Sequence, residues 1–246
     1  MGTLYVVGTP IGNLEDISQR ALETLRQVRL IAAESPSRTQ RLLARYGIET
    51  PMVRYTDAYE RKKQERMGAV LQALEEGDVA LVSEAGMPGL ADPGYELLQA
   101  AVERGVPIVT VPGPTAITAA LSASGLPTER YIFLGFLPRK GAARRKLLAS
   151  LADAHFLLVA FESPHRLLAA LKDIQRVLGE RRMSVSNELT KLYEETRHGT
   201  AGELVAHFQV HPPRGEFTLV IAGPSTLRPG SGQAVRPFDW AQGRPG

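Results

Sequence analysis

The segment Val79-Ala-Leu-Val-Ser-Glu-Ala-Gly-Met-Pro-Gly-Leu-Ala-Asp-Pro-Gly94 carries the pattern that decides the fold. It opens with a continuous apolar run, Val79–Ser83, which is typical of a strand buried on both faces of a parallel sheet. The run leads into a loop of twelve residues, Ser83–Gly94, which holds three Gly and two Pro. Long loops at the carboxyl edge of such a sheet are more often functional than structural. The segment therefore predicts an α/β sheet with a ligand site at this edge.

Apolar runs and helical patterns alternate on both sides of this segment. The predicted strands are Leu4–Gly8, Leu30–Ala33, Val79–Ser83, Ile108–Val111, Tyr131–Leu134, His155–Phe161, Met183–Leu189, Tyr193–His198 and Phe217–Ala222. The first predicted helix begins at an N-cap at Asp16 and ends at about Val28. The next ones are Arg38–Tyr46, Tyr59–Leu74, Tyr95–Arg104, Thr115–Ser122, Ala142–Ala152 and Ser163–Leu178. A capping box of Thr200 and Glu203 predicts a short last helix. Such alternation is the signature of an α/β protein.

A break at Gly125-Leu-Pro127 predicts two αβα lobes, an N-terminal lobe of residues 1–124 and a C-terminal lobe of residues 125–223. The last residues, 224–246, hold four Pro and four Gly and lack any apolar periodicity. We expect a flexible tail there, with the only Trp, Trp240, inside it.

Composition excludes several classes of protein and of site. The chain has 43% hydrophobic and 22% charged residues, which fits a folded globular protein rather than a disordered one. Cys is absent, which excludes disulfides, thiolate zinc sites and a cysteine nucleophile and fits a reducing cytoplasm. No apolar run approaches the roughly 18 residues of a membrane helix, and a strand-like run at Leu4 argues against a signal peptide. We therefore expect a cytoplasmic protein without a membrane anchor.

The basic residues are gathered locally. The formal net charge is +3, and residues 1–223 hold 26 basic and 25 acidic residues, so most of the excess belongs to the tail. Between positions 130 and 146, however, six basic residues occur without an acid. Basic patches suit the phosphate backbone of a nucleic acid, although a solvated helix face would give the same pattern. We favour a nucleic acid as the partner of this segment.

Four further motifs follow predicted strands. They are Gly8-Thr-Pro-Ile-Gly-Asn13, Pro112-Gly-Pro-Thr-Ala116, Phe161-Glu-Ser-Pro-His-Arg166 and Glu188-Leu-Thr-Lys191. The first lies just before a helix, where Gly, Pro and Asn let backbone amides face a ligand. Each one alone also fits an ordinary turn, a tightly packed helix or a surface ion pair.

Taken together and in order, these motifs resemble the ribosomal RNA small subunit methyltransferase I family, which has the tetrapyrrole-methylase fold. The resemblance rests on Leu4–Asp16, Leu81–Pro88, Asp92–Gly94, Pro112–Pro114, Gly135–Pro138, Phe161–Arg166, Glu188–Lys191 and Arg214–Glu216. It implies S-adenosylmethionine as methyl donor in the cleft between the lobes. It also implies that the enzyme methylates the 2′-oxygen of a cytidine ribose in the decoding centre of small-subunit rRNA. The substrate would be the free rRNA or the assembled subunit. The enzyme would be a homodimer that needs no catalytic metal.

The resemblance also implies roles for individual residues. The donor-binding residues would be Thr9, Pro10, Gly86, Met87, Pro88, Thr115, Ala116, Phe161, Leu189, Gly215 and Glu216. The candidates for taking up the hydroxyl proton or orienting the hydroxyl are Glu188, Lys191, Glu84 and Asp92. RNA phosphates would be held by Arg139, Lys140, Arg144, Arg145, Lys146 and Arg166.

Some positions depart from the family pattern. Glu84 stands where Asp is usual and Met87 where Thr is usual, Ser35-Pro-Ser37 replaces Asp-Thr-Arg, and Asn187 replaces an Arg. Two alternatives therefore stay open, namely a non-catalytic or retargeted RNA- or ribosome-binding protein that keeps the donor pocket, and a methylase of small tetrapyrroles. The basic segment argues against the second, because a small substrate does not need that surface.

Overall fold

The computed structural model describes residues 1–56 and 59–224. The first sheet contains β1 (Leu4–Val7), β2 (Leu30–Ala33), β3 (Met52–Arg54), β4 (Val79–Val82) and β5 (Ile108–Val111). All its strand pairs are parallel, in the order β3-β2-β4-β1-β5. The carboxyl ends of these strands therefore meet at one edge, where the Gly/Pro-rich loops begin.

Five helices connect or flank these strands. They are α1 (Gln19–Gln27), α2 (Pro36–Arg45), α3 (Glu60–Glu76), α4 (Tyr95–Glu103) and α5 (Ala116–Ala123). Apolar residues pack on both faces of the first sheet, around Leu81 and Leu74 on one face and around Ile31 and Leu25 on the other. This burial on both faces explains why β4 reads as an unbroken apolar run.

The second sheet is mixed. It contains β6 (Tyr131–Phe136), β7 (Leu157–Glu162), β8 (Arg182–Asn187), β9 (Glu195–Thr200) and β10 (Phe217–Ile221), in the order β6-β7-β10-β8-β9. Only β6 and β7 pair in parallel, and the other pairs are antiparallel. The helices α6 (Gly141–Ser150), α7 (Pro164–Leu178) and α8 (Ala201–Val210) belong to this half of the chain. The α/β class with two lobes is thus confirmed.

Helix α5 joins the two halves. Its buried residues Ile117, Ala120 and Leu121 share one apolar cluster with Leu157, Val159 and Val220 of the second sheet. The His198 ring also lies 2.8 Å from the Ala123 carbonyl oxygen. The buried face of this helix therefore packs between the halves. The boundary after residue 124 stays a prediction.

One sequence prediction of local structure is wrong, and one strand was not predicted. Asp16 lies in a 3₁₀ turn, Leu14–Asp16, and the cap of α1 is Ser18, whose hydroxyl accepts a hydrogen bond from the Ala21 amide at 3.1 Å. Ser18 has extended backbone angles, as an N-cap requires. Strand β3 was not predicted, because three residues are too few to show a period. The predicted capping box of Thr200 and Glu203 is present. The predicted tail, with Trp240, lies outside the described residues apart from Pro224.

Candidate active site

A cavity of about 340 Å³ lies where the carboxyl edge of the first sheet faces the second sheet. We call it the interlobe cavity. From the first half it is lined by Ile11, Ala85, Gly86, Met87, Leu90, Ala91, Asp92, Thr115, Ala116 and Ile117. From the second half it is lined by Phe136, Phe161, Glu162, Ser163, Pro164, Leu189, Lys191, Gly215, Glu216, Phe217 and Thr218. Most of this surface is apolar or backbone, with a few charged groups, which is the usual character of a small-molecule site.

Close backbone contacts lie behind the cavity wall at Gly86. The loops after β1 and β4 form a two-residue bridge, in which Thr9 and Gly86 exchange amide–carbonyl hydrogen bonds of 2.9 and 3.0 Å. The loop after β5 packs as tightly, since a Cβ on Gly8 would lie 2.6 Å from the Gly113 Cα. Three loops therefore converge at one point, and only glycine permits this approach.

A charged cluster of Glu188, Lys191 and Glu216 borders the cavity on the second half. We call it the Lys191 cluster. The Lys191 ammonium donates to Glu188 Oε1 at 3.0 Å and to Glu216 Oε2 at 2.8 Å. The same Glu188 oxygen accepts the Glu216 amide at 2.9 Å. The carboxylate of Glu188 thus ties the loop after β8 to the start of β10.

The backbone of this loop is strained. Glu188 and Thr190 have φ values of +49° and +66°, which non-glycine residues rarely adopt. Gly215 faces the loop, and a Cβ on it would lie 2.5 Å from Glu188 Oε1. Strain that persists at the wall of a cavity points to a functional loop.

Lys191 is held in its charged form. Burial acts to lower the pKa of its ammonium, but the hydrogen bonds and charges of Glu216 and Glu188 outweigh burial and raise that pKa. Lys191 therefore stays protonated near neutral pH and cannot accept a proton. Of the two roles predicted for it, orienting a hydroxyl is the one that its environment permits.

Asp92 borders the cavity on the first half, in a second charged cluster. Burial, followed by the negative charges of Glu34 and Glu84, raises the pKa of the Asp92 carboxyl to about 6. We call Asp92, Glu34 and Glu84 the Asp92 cluster. A carboxylate with a pKa in this range is ionised at neutral pH and still accepts a proton readily. Asp92 is thus the best-placed proton acceptor among the candidates that line the cavity.

Glu84 occupies a different position from Asp92. It is exposed, does not line the cavity, and its Oε1 lies 2.6 Å from the Arg38 guanidinium at the start of α2. Its backbone amide donates to Glu34 Oε2 at 2.9 Å. Glu84 therefore acts on the site through its charge and through the loop, and not by contact with a molecule in the cavity.

Glu162 is a cavity residue that was not among the predicted site residues. Its carboxylate is almost completely buried and accepts hydrogen bonds from the Ser163 amide at 2.9 Å and from Arg166 at 3.1 Å. Burial raises the pKa of Glu162, and these two hydrogen bonds oppose the shift. The motif contained the signal, since an acid four residues before Arg166 at a strand's carboxyl end suggests an ion pair.

Eight of the eleven predicted donor-binding residues line the interlobe cavity. Thr9, Pro10 and Pro88 do not. Thr9 is buried in the bridge with Gly86 behind the cavity wall. The side chains that sequence reasoning missed are mainly apolar, such as Leu90, Phe136 and Phe217. Apolar wall residues carry no motif of their own, because core positions look the same in a sequence.

The predicted RNA-binding residues fall into two groups. Arg139, Lys140 and Lys146 are exposed. Arg145 is half-exposed, and its guanidinium lies 3.1 Å from Asp173 Oδ1. The expectation that Arg139–Lys146 forms a basic surface thus applies to the exposed members of that segment.

Arg144 and Arg166 are oriented differently from the prediction. Arg144 is only 5% exposed, and its guanidinium pairs with Asp173 Oδ2 at 2.6 Å, so it stabilises the packing of α6 on α7 instead of contacting phosphate. A helix in the middle of a basic run still has an inward face, and Arg144 lies on it. Arg166 bonds to Glu162 and to the Leu137 carbonyl oxygen. Its guanidinium therefore supports the cavity wall.

Two negative findings concern the described residues alone. In residues 1–56 and 59–224, no group of His, Cys, Asp and Glu side chains is arranged to hold a metal ion. Within the same ranges, none of the helices is both long and apolar enough to cross a membrane.

Comparison with known sequences identifies similar proteins. The profile of the Tetrapyrrole (Corrin/Porphyrin) Methylases matches residues 3–205. The ribosomal RNA small subunit methyltransferase I of Thermotoga maritima is 47% identical over 224 residues, covering 91% of this chain and 99% of that protein. The Pseudomonas aeruginosa protein of the same name is 45% identical over 228 residues, covering 90% and 79% of the two chains.

Solved structures resemble the fold at lower identity. Cobalt precorrin-4 methyltransferase superposes with a TM-score of 0.67 at 20% identity, covering 92% of this chain and 96% of that chain. Uroporphyrin-III C-methyltransferase from Thermus thermophilus, crystallised with S-adenosylhomocysteine, gives a TM-score of 0.59 at 20% identity, with coverages of 92% and 99%. At these identities the likeness shows the fold.

Proposed function

The chain belongs to the tetrapyrrole methylase family and, within it, to the ribosomal RNA small subunit methyltransferase I proteins, and we propose that it methylates the 2′-oxygen of a cytidine ribose in the decoding centre of small-subunit rRNA. The methyl donor is S-adenosylmethionine. The observation that carries the proposal is the interlobe cavity, which combines an apolar donor-sized volume with Asp92, a carboxylate suited to accept a hydroxyl proton.

The residues of the cavity fit the donor. A volume of about 340 Å³ is within the range of small-molecule sites. Phe136 and Phe161 meet edge-to-face with their ring centres 5.6 Å apart and offer an apolar wall to an adenosine. Gly86, Ala116 and Gly215 keep the opposite walls free of bulk. Carboxylates at Asp92 and Glu162 suit a cationic ligand.

The chain's own contribution to the reaction is positioning and proton uptake. When bound, S-adenosylmethionine supplies an activated methyl group on a sulfonium cation. The cavity walls would position the ribose oxygen beside the bound donor, and such positioning provides much of the rate acceleration. The Asp92 carboxylate would accept the proton of the 2′-hydroxyl, while the donor would give up its methyl group and leave as S-adenosylhomocysteine. A general base of this kind contributes roughly 10²–10⁴-fold.

The Lys191 cluster has the complementary role. The protonated Lys191 ammonium lies at the cavity wall and orients the hydroxyl or an adjacent oxygen of the substrate. Glu188 positions it, because its carboxylate contacts Lys191 and the Glu216 amide but does not line the cavity. The exposed Arg139, Lys140 and Lys146 hold RNA phosphates, with the half-exposed Arg145 beside them. We place the enzyme in the cytoplasm, where its substrate is made.

We also propose that the enzyme is a homodimer. Leu192 and Tyr193 are 88% and 78% exposed beside the Lys191 cluster, and Val109 on the edge strand β5 is 42% exposed. Exposed apolar side chains of this size suit a self-association surface. Sedimentation should give the mass of two chains. If the double variant Leu192→Ser, Tyr193→Ser also sediments as a dimer, these two residues do not belong to the dimer interface.

The direct test is transfer of a tritiated methyl group from the labelled donor to undermodified small subunits, followed by nucleoside mapping. The proposal expects label in one 2′-O-methylcytidine. Donor binding by calorimetry without any label in RNA would favour the non-catalytic alternative, and label in a base would contradict the reaction.

A further inference from the structure

A second cavity, of about 290 Å³, adjoins the interlobe cavity at Asp92. It lies between α3 and the segment that leads into α4, and Asp92 lines both cavities. We call it the α3–α4 cavity. A molecule that contacts Asp92 in the interlobe cavity can therefore extend past that carboxylate into the α3–α4 cavity.

The back of the α3–α4 cavity is apolar and fixed. Tyr55 is 4% exposed, and its hydroxyl donates to the Pro93 carbonyl oxygen at 2.8 Å. Burial, followed by the charges of Glu34 and Asp92, raises the pKa of this phenol, so it stays neutral. Met67 and Leu97 complete the apolar surface. The hydrogen bond to Pro93 holds the segment beside Asp92 in place.

An aromatic ring stands at the mouth of the cavity. Tyr95 is the first residue of α4 and is 69% exposed although it lines the cavity. Among the described residues its ring makes no contact with another aromatic ring. An exposed ring beside a slot is the usual platform on which a protein stacks an unpaired base.

A donor and an acceptor lie side by side on the remaining wall. The ammonium of Lys63 pairs with the Glu96 carboxylate, and both residues line the cavity. An ammonium can donate to a ring nitrogen or carbonyl oxygen, while a carboxylate accepts from an exocyclic amino group. This pair therefore matches the polar edge of a pyrimidine that carries an amino group.

We propose that the α3–α4 cavity binds the base of the nucleotide whose ribose is methylated, a pyrimidine with an exocyclic amino group, stacked on Tyr95 and read by Lys63 and Glu96. The proposal rests on the proposed function. The base is attached to the ribose carbon next to the 2′-carbon, so a 2′-oxygen at Asp92 sends the base into an adjoining space. The nucleotide must leave its helical stack to reach this position.

The test measures kcat/KM for undermodified small subunits with Tyr95→Ala, together with the Kd for the donor. Loss of one stacked base lowers kcat/KM about 5- to 150-fold. The donor Kd should stay within twofold, because Tyr95 does not line the interlobe cavity. Tyr95→Phe keeps the ring and should recover most of the loss. The matched control is Tyr131→Ala, an exposed tyrosine at the amino end of β6, away from both cavities.

A second variant tests the polar edge. Glu96→Gln should narrow the preference of the enzyme for subunits with cytidine at the target over subunits with uridine, since uridine lacks the amino group. An unchanged kcat/KM in Tyr95→Ala, or an unchanged preference in Glu96→Gln, would overturn the base site while leaving methyl transfer intact. Failure of the unsubstituted enzyme to label either subunit would overturn the proposed function and, with it, this inference.

Discussion

The Asp92 cluster and the Lys191 cluster face the same cavity and use carboxylates in opposite ways. In the first, Arg38 pairs with the outer carboxylate, Glu84. The inner group, Asp92, has no ion-pair partner within residues 1–56 and 59–224, and its pKa rises to about 6. In the second, two carboxylates surround one lysine, and the pKa of that ammonium rises.

The difference shows that neighbouring carboxylates have two opposite effects: they disfavour the charged form of another carboxylate and favour the charged form of a lysine. Burial, followed by repulsion from Glu34 and Glu84, destabilises the ionised form of Asp92 and raises its pKa. Attraction between unlike charges keeps Lys191 charged and fixed in position. In the mechanism that we propose, the first half of the molecule supplies the base and the second half supplies the orienting cation.

The largest effect is expected from Asp92→Asn, which removes the base and keeps the shape of the side chain. We expect kcat for methyl transfer to fall roughly 10²- to 10⁴-fold, since that is the usual contribution of a general base. Calorimetry should find the donor still bound. Glu84→Gln is the comparison within the same cluster. Glu84 does not line the cavity, so we expect this variant to lower kcat less than Asp92→Asn does. An equal loss of kcat in Asp92→Asn and Glu84→Gln would contradict the assignment of Asp92 as the proton acceptor.

The next effect is expected from Lys191→Met, which leaves Glu188 and Glu216 without their shared cation. We expect kcat/KM to fall about 10- to 100-fold, which corresponds to a hydrogen bond from a charged group. Lys172→Met, on the exposed face of α7, is the control and should retain full activity. Steady-state kinetics that show full activity for Lys191→Met would remove the second cluster from the mechanism.

A smaller effect is expected when the Lys191 cluster is disturbed through the backbone. Gly215→Ala combines a φ of +85° with a Cβ 2.5 Å from Glu188 Oε1, so we expect about 2–4 kcal/mol less free energy of unfolding. Gly47→Ala has a φ of +60° and no atom within 4 Å of its Cβ, so only about 1 kcal/mol is expected. If urea unfolding gives the same loss of unfolding free energy for Gly215→Ala and Gly47→Ala, the contact with Glu188 does not affect stability.

The two clusters also differ in how far the sequence could predict them. Asp92, Glu84, Glu188 and Lys191 all follow strands, so their motifs could be recognised. The sequence could not show that Glu84 pairs with Arg38, or that the charges of Glu34 and Glu84 act on Asp92, because Glu34 and Arg38 come from a different strand and helix. Side-chain partners that are distant in the chain depend on sheet order, which local patterns do not contain.

The fold was more predictable than the orientation of single side chains. Apolar runs predicted nine of the ten strands found in the part of the chain that the structure describes, and the three-residue β3 was the one missed. Arg144 shows the limit. A charge pattern identifies a basic helix, but the burial of Arg144 against Asp173 depends on how α6 packs on α7. For the same reason the apolar wall of the cavity could not be distinguished from the core.

The most direct test of the account is the pH dependence of single-turnover methyl transfer to small subunits, with the unsubstituted enzyme and with Asp92→Asn. A base works only when it is deprotonated, so the rate should rise about tenfold per pH unit up to about pH 6 and then level off. Asp92→Asn should be slow and lack this inflection. An inflection near pH 6 that persists in Asp92→Asn, or a flat profile for the unsubstituted enzyme between about pH 5 and pH 7, would contradict the assignment of Asp92 as the proton acceptor.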